Sequence, residues 1–317
     1  MVNYILKRIL LLIPIILGVS IITFSLMFFT PGDPARQVLR QQMGGEDPSP
    51  AAVKRVREDM GLNEPFHVQY YEWLRGAVTG NLGESLVTGN SVTGEIMRVF
   101  PHTLNLSILS MFVAIIIAVP IGIISALKHN TLIDYFSMTG AMIGVSMPNF
   151  WLAVLLMLFF SLRLGIFPVY GGGGGIETLI LPAITLGTGM AAMTTRLIRS
   201  SMLDVLMQEY IEFARAKGLS GWKVLNRHAL KNAFIPVITY LGLQLGWAFE
   251  GAVIVENIFA RPGVGSLLYD AVLARDFPLI QGIVLYITVV FVFVNLMVDI
   301  LYVFIDPRIK YNKRESL

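Results

Sequence analysis

The 317-residue chain contains no cysteine. Disulfides, thiolate metal sites and cysteine nucleophiles are therefore excluded. Charge is scarce: Asp, Glu, Lys and Arg make up 14% of the residues, where a soluble domain carries about 25%. Only His67, His102, His129 and His228 carry an imidazole. They are widely spaced, with no His-x-x-x-His pair, so a dedicated metal centre is not expected. No Gly-x-x-x-x-Gly-Lys-Ser/Thr occurs, and the chain thus lacks a P-loop for ATP. His-Glu-x-x-His and paired intramembrane aspartates are missing too, which argues against an intramembrane enzyme. The five glycines Gly171–Gly175 lack a following Lys-Ser/Thr and read as a flexible turn.

What is abundant is apolar surface. Hydrophobic residues make up 55% of the chain, and the mean hydropathy is +0.68. A soluble enzyme, a disordered chain and a coiled coil are all excluded, leaving a polytopic membrane protein. A bilayer core about 30 Å thick needs roughly 20 apolar residues in a helix. Six stretches qualify: Ile9–Gly32, Thr103–Leu127, Tyr135–Leu162, the shorter Thr178–Thr195, Asn232–Phe249 continuing to Val255, and Phe277–Val298 continuing to Ile305. All are expected to be helical, because lipid offers no partner to an open strand edge. The first stretch is longer than a signal-peptide core and lacks an Ala-x-Ala site, so it reads as a retained anchor.

With the N-terminus inside, the cytoplasmic pieces hold fourteen Lys and Arg and the short outer loops three, namely Arg163, Arg261 and Arg275. The positive-inside rule then places both termini in the cytoplasm. The organisation expected is an anchor over residues 1–32, an extracytoplasmic segment over 33–101, a five-helix core over 102–305, and a cytoplasmic tail over 306–317. The extracytoplasmic segment is rich in turn formers, with amphipathic helices expected over Pro50–Met60 and Pro65–Val78. It reads both as a lid on the outer membrane face and as a docking or gating element, and the two are compatible.

The cytoplasmic segment 196–232 is too long for a mere connector between helices, about 2–8 residues. It sets Met202, Leu203, Leu206, Tyr210, Phe213 and Trp222 among charges. Two short helices are expected, one ending near Gly218 and the next capped by Ser220. A protruding helix pair and an interfacial helix lying on lipid both fit this pattern.

Two acids interrupt the spans, Glu250 in the fifth and Asp299 in the sixth. An ionised acid at the bilayer centre costs about 2.5–3.5 kcal/mol on insertion scales, so each is expected to face protein or water. Glu250 is a substrate-pathway candidate meeting a cationic end of substrate, against a helix–helix hydrogen bond. Asp299, nearer the helix end, reads as structural more than as pathway. Gly140-x-x-x-Gly144 and Gly242-x-x-x-Gly246 offer small faces for close helix approach, while Pro120, Pro148 and Pro182 are expected to kink their helices.

Glu212-Phe213-Ala214-x-x-x-Gly218, with Leu230 downstream, resembles the EAA loop of ABC-importer membrane subunits. Phe213, His228 and Lys231 depart from that pattern. The wider string Ala214-Arg215-Ala216-Lys217-Gly218-Leu219 is similar to the dipeptide, oligopeptide and nickel permease branch. So are Pro31-Gly32-Asp33-Pro34, Asn81-Leu82-Gly83-x-Ser85, Gly144-Val145-Ser146-Met147-Pro148, Glu256-x-Ile258-Phe259-x-x-Pro262-Gly263 and Asp306-Pro307-Arg308. The resemblance covers nearly the whole chain. It implies an all-α integral membrane protein with six transmembrane helices and the type I ABC importer fold, in the cytoplasmic (inner) cell membrane. It further implies a passive translocation subunit for di- or oligopeptides, or alternatively nickel or a metal chelate. No cofactor is implied in this chain, ATP and Mg residing on two partner ATPase subunits. The other partners implied are a second homologous permease chain, in a heterodimer, and an extracytoplasmic substrate-binding protein, with no nucleic acid. Glu212, Ala214, Arg215, Gly218, Ser220 and Trp222 are the residues expected to couple to the ATPase. A stand-alone secondary transporter is the remoter alternative; it needs no such helix pair and usually shows an internal repeat, which is not found.

Overall fold

The computed structural model describes residues 2–169 and 175–305, with side chains over 8–40, 43–169 and 175–300. Most of the Gly171–Gly175 run and the whole 306–317 tail, including Asp306-Pro307-Arg308, lie outside the described residues. Thirteen α-helices follow in order among the described residues: α1 (Val2–Phe29), α2 (Pro34–Gln42), α3 (Pro50–Asp59), α4 (Phe66–Val78), α5 (Val92–Leu127), α6 (Leu132–Ser146), α7 (Asn149–Leu156), α8 (Glu177–Leu206), α9 (Glu209–Ala216), α10 (Gly221–Lys223), α11 (Leu230–Ile258), α12 (Val264–Ala274) and α13 (Phe277–Ile305). Wider π-helical turns extend α7 over Met157–Arg163 and join α10 to α11 over Val224–Ala229.

Five helical stretches are long and apolar enough to cross a bilayer, and a bent pair makes a sixth. That pair is α6 and α7, where a single span over Tyr135–Leu162, kinked at Pro148, was expected. The chain turns by 101° between them. Pro148 explains the break: its missing N–H and its ring oppose a continuing helix. Pro120 and Pro182, by contrast, sit inside helices that remain continuous. Helix α5 begins well before the expected Thr103 and runs for 36 residues. At about 1.5 Å per residue it measures about 54 Å, longer than a hydrocarbon core. Its first turn carries Glu95 paired with Arg98 at 2.6 Å.

The described chain forms two compact units. The first comprises residues up to His102 together with Gly263–Val292. Here α4 lies against the end of α1 through aromatic contacts: Phe24 meets Phe66, Tyr70 and Trp73 at 5.4–5.6 Å between ring centroids. The Ser20 and Tyr70 hydroxyls bond at 2.8 Å. Helix α2 was not anticipated. Its signal was legible, since Asp33 Oδ1 accepts from the Ala35 N–H at 3.1 Å and Pro34 occupies the first helical position, where its missing donor costs nothing. Ser49 caps α3 in the same way. Val92, Ile96, Val99, Val264, Leu279, Ile280 and Ile283 make the core of this unit. Asp276, 1% exposed, gathers the loop between α4 and α5 by accepting from the Ser85 hydroxyl and the Leu86 N–H.

The second unit, residues 103–262 with 293 onward, is organised around α8. Two thirds of its apolar window is buried, against 17–33% for the other straight spans, although its mean hydropathy of 1.3 is among the lowest. Small and polar residues explain this. A helix enclosed by other helices meets no lipid and profits from close approach. A Cβ added at Gly187 would lie 2.6 Å from the Ser110 carbonyl oxygen, so α5 and α8 touch backbone to backbone there. Of the two small-residue motifs expected, Gly144 meets Ala192 of α8 and Gly242 meets Val298 of α13, while Gly140 faces open space. Gln244 of α11 donates to the Met190 carbonyl at 3.0 Å and pairs with Thr194 at 2.9 Å, tying α11 to α8.

Candidate coupling site

The segment expected as a loop with two short helices is mostly helix that belongs to the spans. Helix α8 runs on to Leu206, so its last eleven residues had been assigned to the loop. The second short helix is the beginning of a 38-residue helical stretch, Gly221–Ile258. One separate element remains, the eight-residue α9, strung between two long rods. A helix of eight residues is marginal by itself, and tertiary packing holds this one. Ile211 is fully buried and Ala214 is 6% exposed. Both enter a cluster with Ile198 and Met202 of α8, with Val224 and Ala229 of the π-helical turn, and with Ala233 of α11. Burying one Ile side chain contributes about 1.5–3 kcal/mol. The Asn232 amide also donates to the Tyr210 hydroxyl at 2.8 Å.

The exit from α9 is a Schellman turn. Gly218 adopts φ +78°. Its N–H reaches the Arg215 carbonyl at 2.9 Å, and the Leu219 N–H reaches that of Ala214 at 3.4 Å. A left-handed residue at this position favours glycine. Ser220 occupies the N-cap position of α10, but its side chain makes no capping bond. Only its carbonyl engages, accepting from the Val224 N–H at 3.0 Å.

Of the expected coupling residues, Glu212, Arg215, Gly218, Ser220 and Trp222 are exposed and Ala214 faces inward. Trp222 is 72% exposed and Phe213 60%, with the Lys217 ammonium 4.6 Å from the Phe213 ring centre. Met207, Tyr210 and Leu219 are exposed beside them. α9 is thus fastened by one face and presents a mixed aromatic and charged face outward. Sequence reasoning missed Ile211, its main anchor, although Ile211 and Ala214 stand three apart and share one helical face.

The two intramembrane acids part company. Glu250 is exposed on α11 and has no partner among the described residues. It follows Phe249, which is buried, and stands one turn from the half-exposed Trp247. Asp299 is half-buried on α13 and does have an interaction.

Two buried charge clusters went unrecognised. Glu256, fully buried, accepts from the Thr103 hydroxyl at 2.6 Å. Arg261, 4% exposed, donates to the Thr178 hydroxyl at 3.2 Å. Burial pushes its guanidinium below the usual value, while nearby Glu256 pulls the other way. In the second cluster Asp134, 2% exposed, meets Arg199 Nε at 2.6 Å and Nη2 at 2.8 Å. A lone charged residue beside an apolar run carries no sequence signal of its distant partner.

The chain is similar to known proteins along nearly all its length. Residues 118–311 match the family described as binding-protein-dependent transport system inner membrane component, and residues 1–107 match its N-terminal companion. A dipeptide transport system permease protein of Alkalihalophilus pseudofirmus is 42% identical over 98% of this chain and 100% of its own length. A glutathione transport system permease protein of Escherichia coli K12 is 41% identical with the same coverage. A chain of a solved methionine ABC transporter in inward-facing conformations shares the fold, with TM-score 0.57 at 15% identity over 67% of this chain and 96% of that one.

Proposed function

This chain belongs to the family of binding-protein-dependent transport system inner membrane components, and on that premise we propose that it is the translocation subunit of an ATP-driven importer of di- and oligopeptides. The near-full-length identity with a dipeptide transport permease supports this substrate class. One observation carries the coupling role: α9 is seated on α8 and α11 by Ile211 and Ala214 while Phe213 and Trp222 face outward. A large apolar side chain left in water is a natural anchor in a partner's groove. The basic Arg215, Lys217 and Lys223 suit an acidic rim.

The mechanism follows from stiffness. α9 connects to two continuous helical rods, one of 30 and one of 38 residues. A push on α9 is not absorbed by flexible chain. It displaces the rod ends, and rigid-body motion of α8 and α11 opens a central path to one side at a time. The energy comes from two ATPase subunits, which bind ATP and Mg at the cytoplasmic face. A second homologous permease completes the path, in a heterodimer, and an extracytoplasmic substrate-binding protein delivers the peptide. Both termini lie in the cytoplasm of the inner membrane, so α9 faces the ATPases. Glu250 is the pathway residue: an exposed acid in lipid is costly, and a face turned to a water-filled path relieves that cost.

The test is reconstitution in vesicles. The chain with its second permease, both ATPases and the binding protein should accumulate labelled peptide only with ATP. Uphill uptake or nucleotide hydrolysis by this chain alone would refute the assignment. Glu250→Gln should weaken uptake of peptides with a free amino terminus; unchanged affinity and rate would remove it from the pathway.

A further inference from the structure

We propose that the ion pair between buried Asp134 and the partly exposed Arg199 is the strut that carries displacement of α9 into the broken span α6–α7, making both residues positioning residues for transport. The inference rests on α9 being the coupling element. Arg199 lies next to Ile198, and Ile198 and Met202 of α8 pack in the same cluster as Ile211 and Ala214 of α9. Displacement of α9 therefore reaches this stretch of α8 directly. Across from it, Asp134 stands in the first turn of α6.

The bond between them is more than a surface ion pair. The Arg199 fork grips both carboxylate oxygens, Nε to Oδ1 at 2.6 Å and Nη2 to Oδ2 at 2.8 Å. A bidentate fork fixes direction as well as distance. The remaining acceptor capacity of Asp134 binds the end of α5 and the turn after it through the Ser125 hydroxyl and the Asn130 N–H at 3.1 Å, with His129 Nδ1 lying 3.2 Å away and 3.0 Å from Arg199 Nη2. One carboxylate thus clamps α5, α6 and α8 together at one end of this unit.

The rest of the α6–α8 contact is poor in such grip. Gly144 meets Ala192 through small groups, a contact that permits sliding. The span then breaks at Pro148, so α6 turns as a short lever with a 101° corner at its far end. A directional tie at the near end of a lever transmits rotation that smooth packing would let slip.

The experiment uses the complete reconstituted complex and reads peptides taken up per ATP hydrolysed, with complex yield and melting temperature as controls. Asp134→Asn and Arg199→Gln should each lower that ratio about twofold to thirtyfold, the span of effects along coupling networks, while ATP hydrolysis continues. Asp134→Glu should recover most of the ratio. The double variant leaves no unpaired charge at this pair, so it keeps the test open should a single variant lose stability, and it should match the singles instead of adding to them. A ratio unchanged in the double variant, or uptake and hydrolysis falling in parallel with stability, overturns the strut. Ile211→Ala in the same assay separates the two ideas: if it uncouples while the Asp134 variants do not, the strut alone is wrong. If it also leaves the ratio intact, the coupling role of α9 falls as well.

Discussion

Substitution of Gly218 tests whether the exit angle of α9 matters to transport. The residue sits at φ +78° and a Cβ there would meet nothing within 4 Å. Any penalty is therefore backbone strain, free of steric clash. A non-glycine residue held in the left-handed region costs on the order of 1–3 kcal/mol, least for Asn and Asp and most for β-branched side chains. A penalty of 1–2 kcal/mol is a factor of about 5–30 in an equilibrium. The chain can relieve it by opening the Schellman turn, which releases the Arg215 and Ala214 carbonyls and swings α9 off its seat. The expected order of transport loss is Val, then Ala, then Asn. Gly218→Asp falls beside Asn, although its added charge next to Lys217 and Lys223 alters the ATPase-facing surface as well. The assay is peptide uptake and ATP hydrolysis by reconstituted complex, with membrane insertion checked by yield. Gly218→Val should uncouple hydrolysis from uptake at normal insertion. Full uptake by Gly218→Val, or Asn failing as badly as Val, would refute the reasoning.

Three further outcomes are expected. Ile211→Ala removes the fully buried anchor of α9; it should cost about 2–5 kcal/mol locally and expose the α9 segment to limited proteolysis at Arg215 or Lys217. Gly187→Ala drives a methyl toward the Ser110 carbonyl and Val113. It should cost about 1–3 kcal/mol of overpacking, seen as a lowered melting temperature of the detergent-purified chain. Gln244→Leu strips Thr194 and the Met190 carbonyl of their cross-helix partner. A loss of about 1–3 kcal/mol should appear in the same thermal assay, and Gln244→Glu should not restore it.

Much of this protein was legible in one dimension. Long charge-free runs gave the spans, because crossing lipid is a local demand on composition that each helix meets by itself. Local rules also located α3, α4 and the Gly218 turn. The same rules, applied to Asp33-Pro34, would have found α2.

What the chain's order could not decide were the matters settled by neighbours. Span three looks as apolar as the others, yet it breaks at Pro148 while Pro120 and Pro182 lie in unbroken helices. Whether a helix survives a proline depends on what surrounds it. Helix α8 has weak hydropathy, and it was cut short in the reading because Glu177 and Arg196 bound its charge-free run. Enclosure by α5, α6, α7 and α11 removed its need for apolar surface. Ion pairs such as Asp134 with Arg199, 65 residues apart, form only once three helices have met. Composition dictates what must leave water, because that cost is paid residue by residue. Contact dictates which charge finds which partner and which helix lies at the centre, because those energies exist only between segments that the fold has brought together.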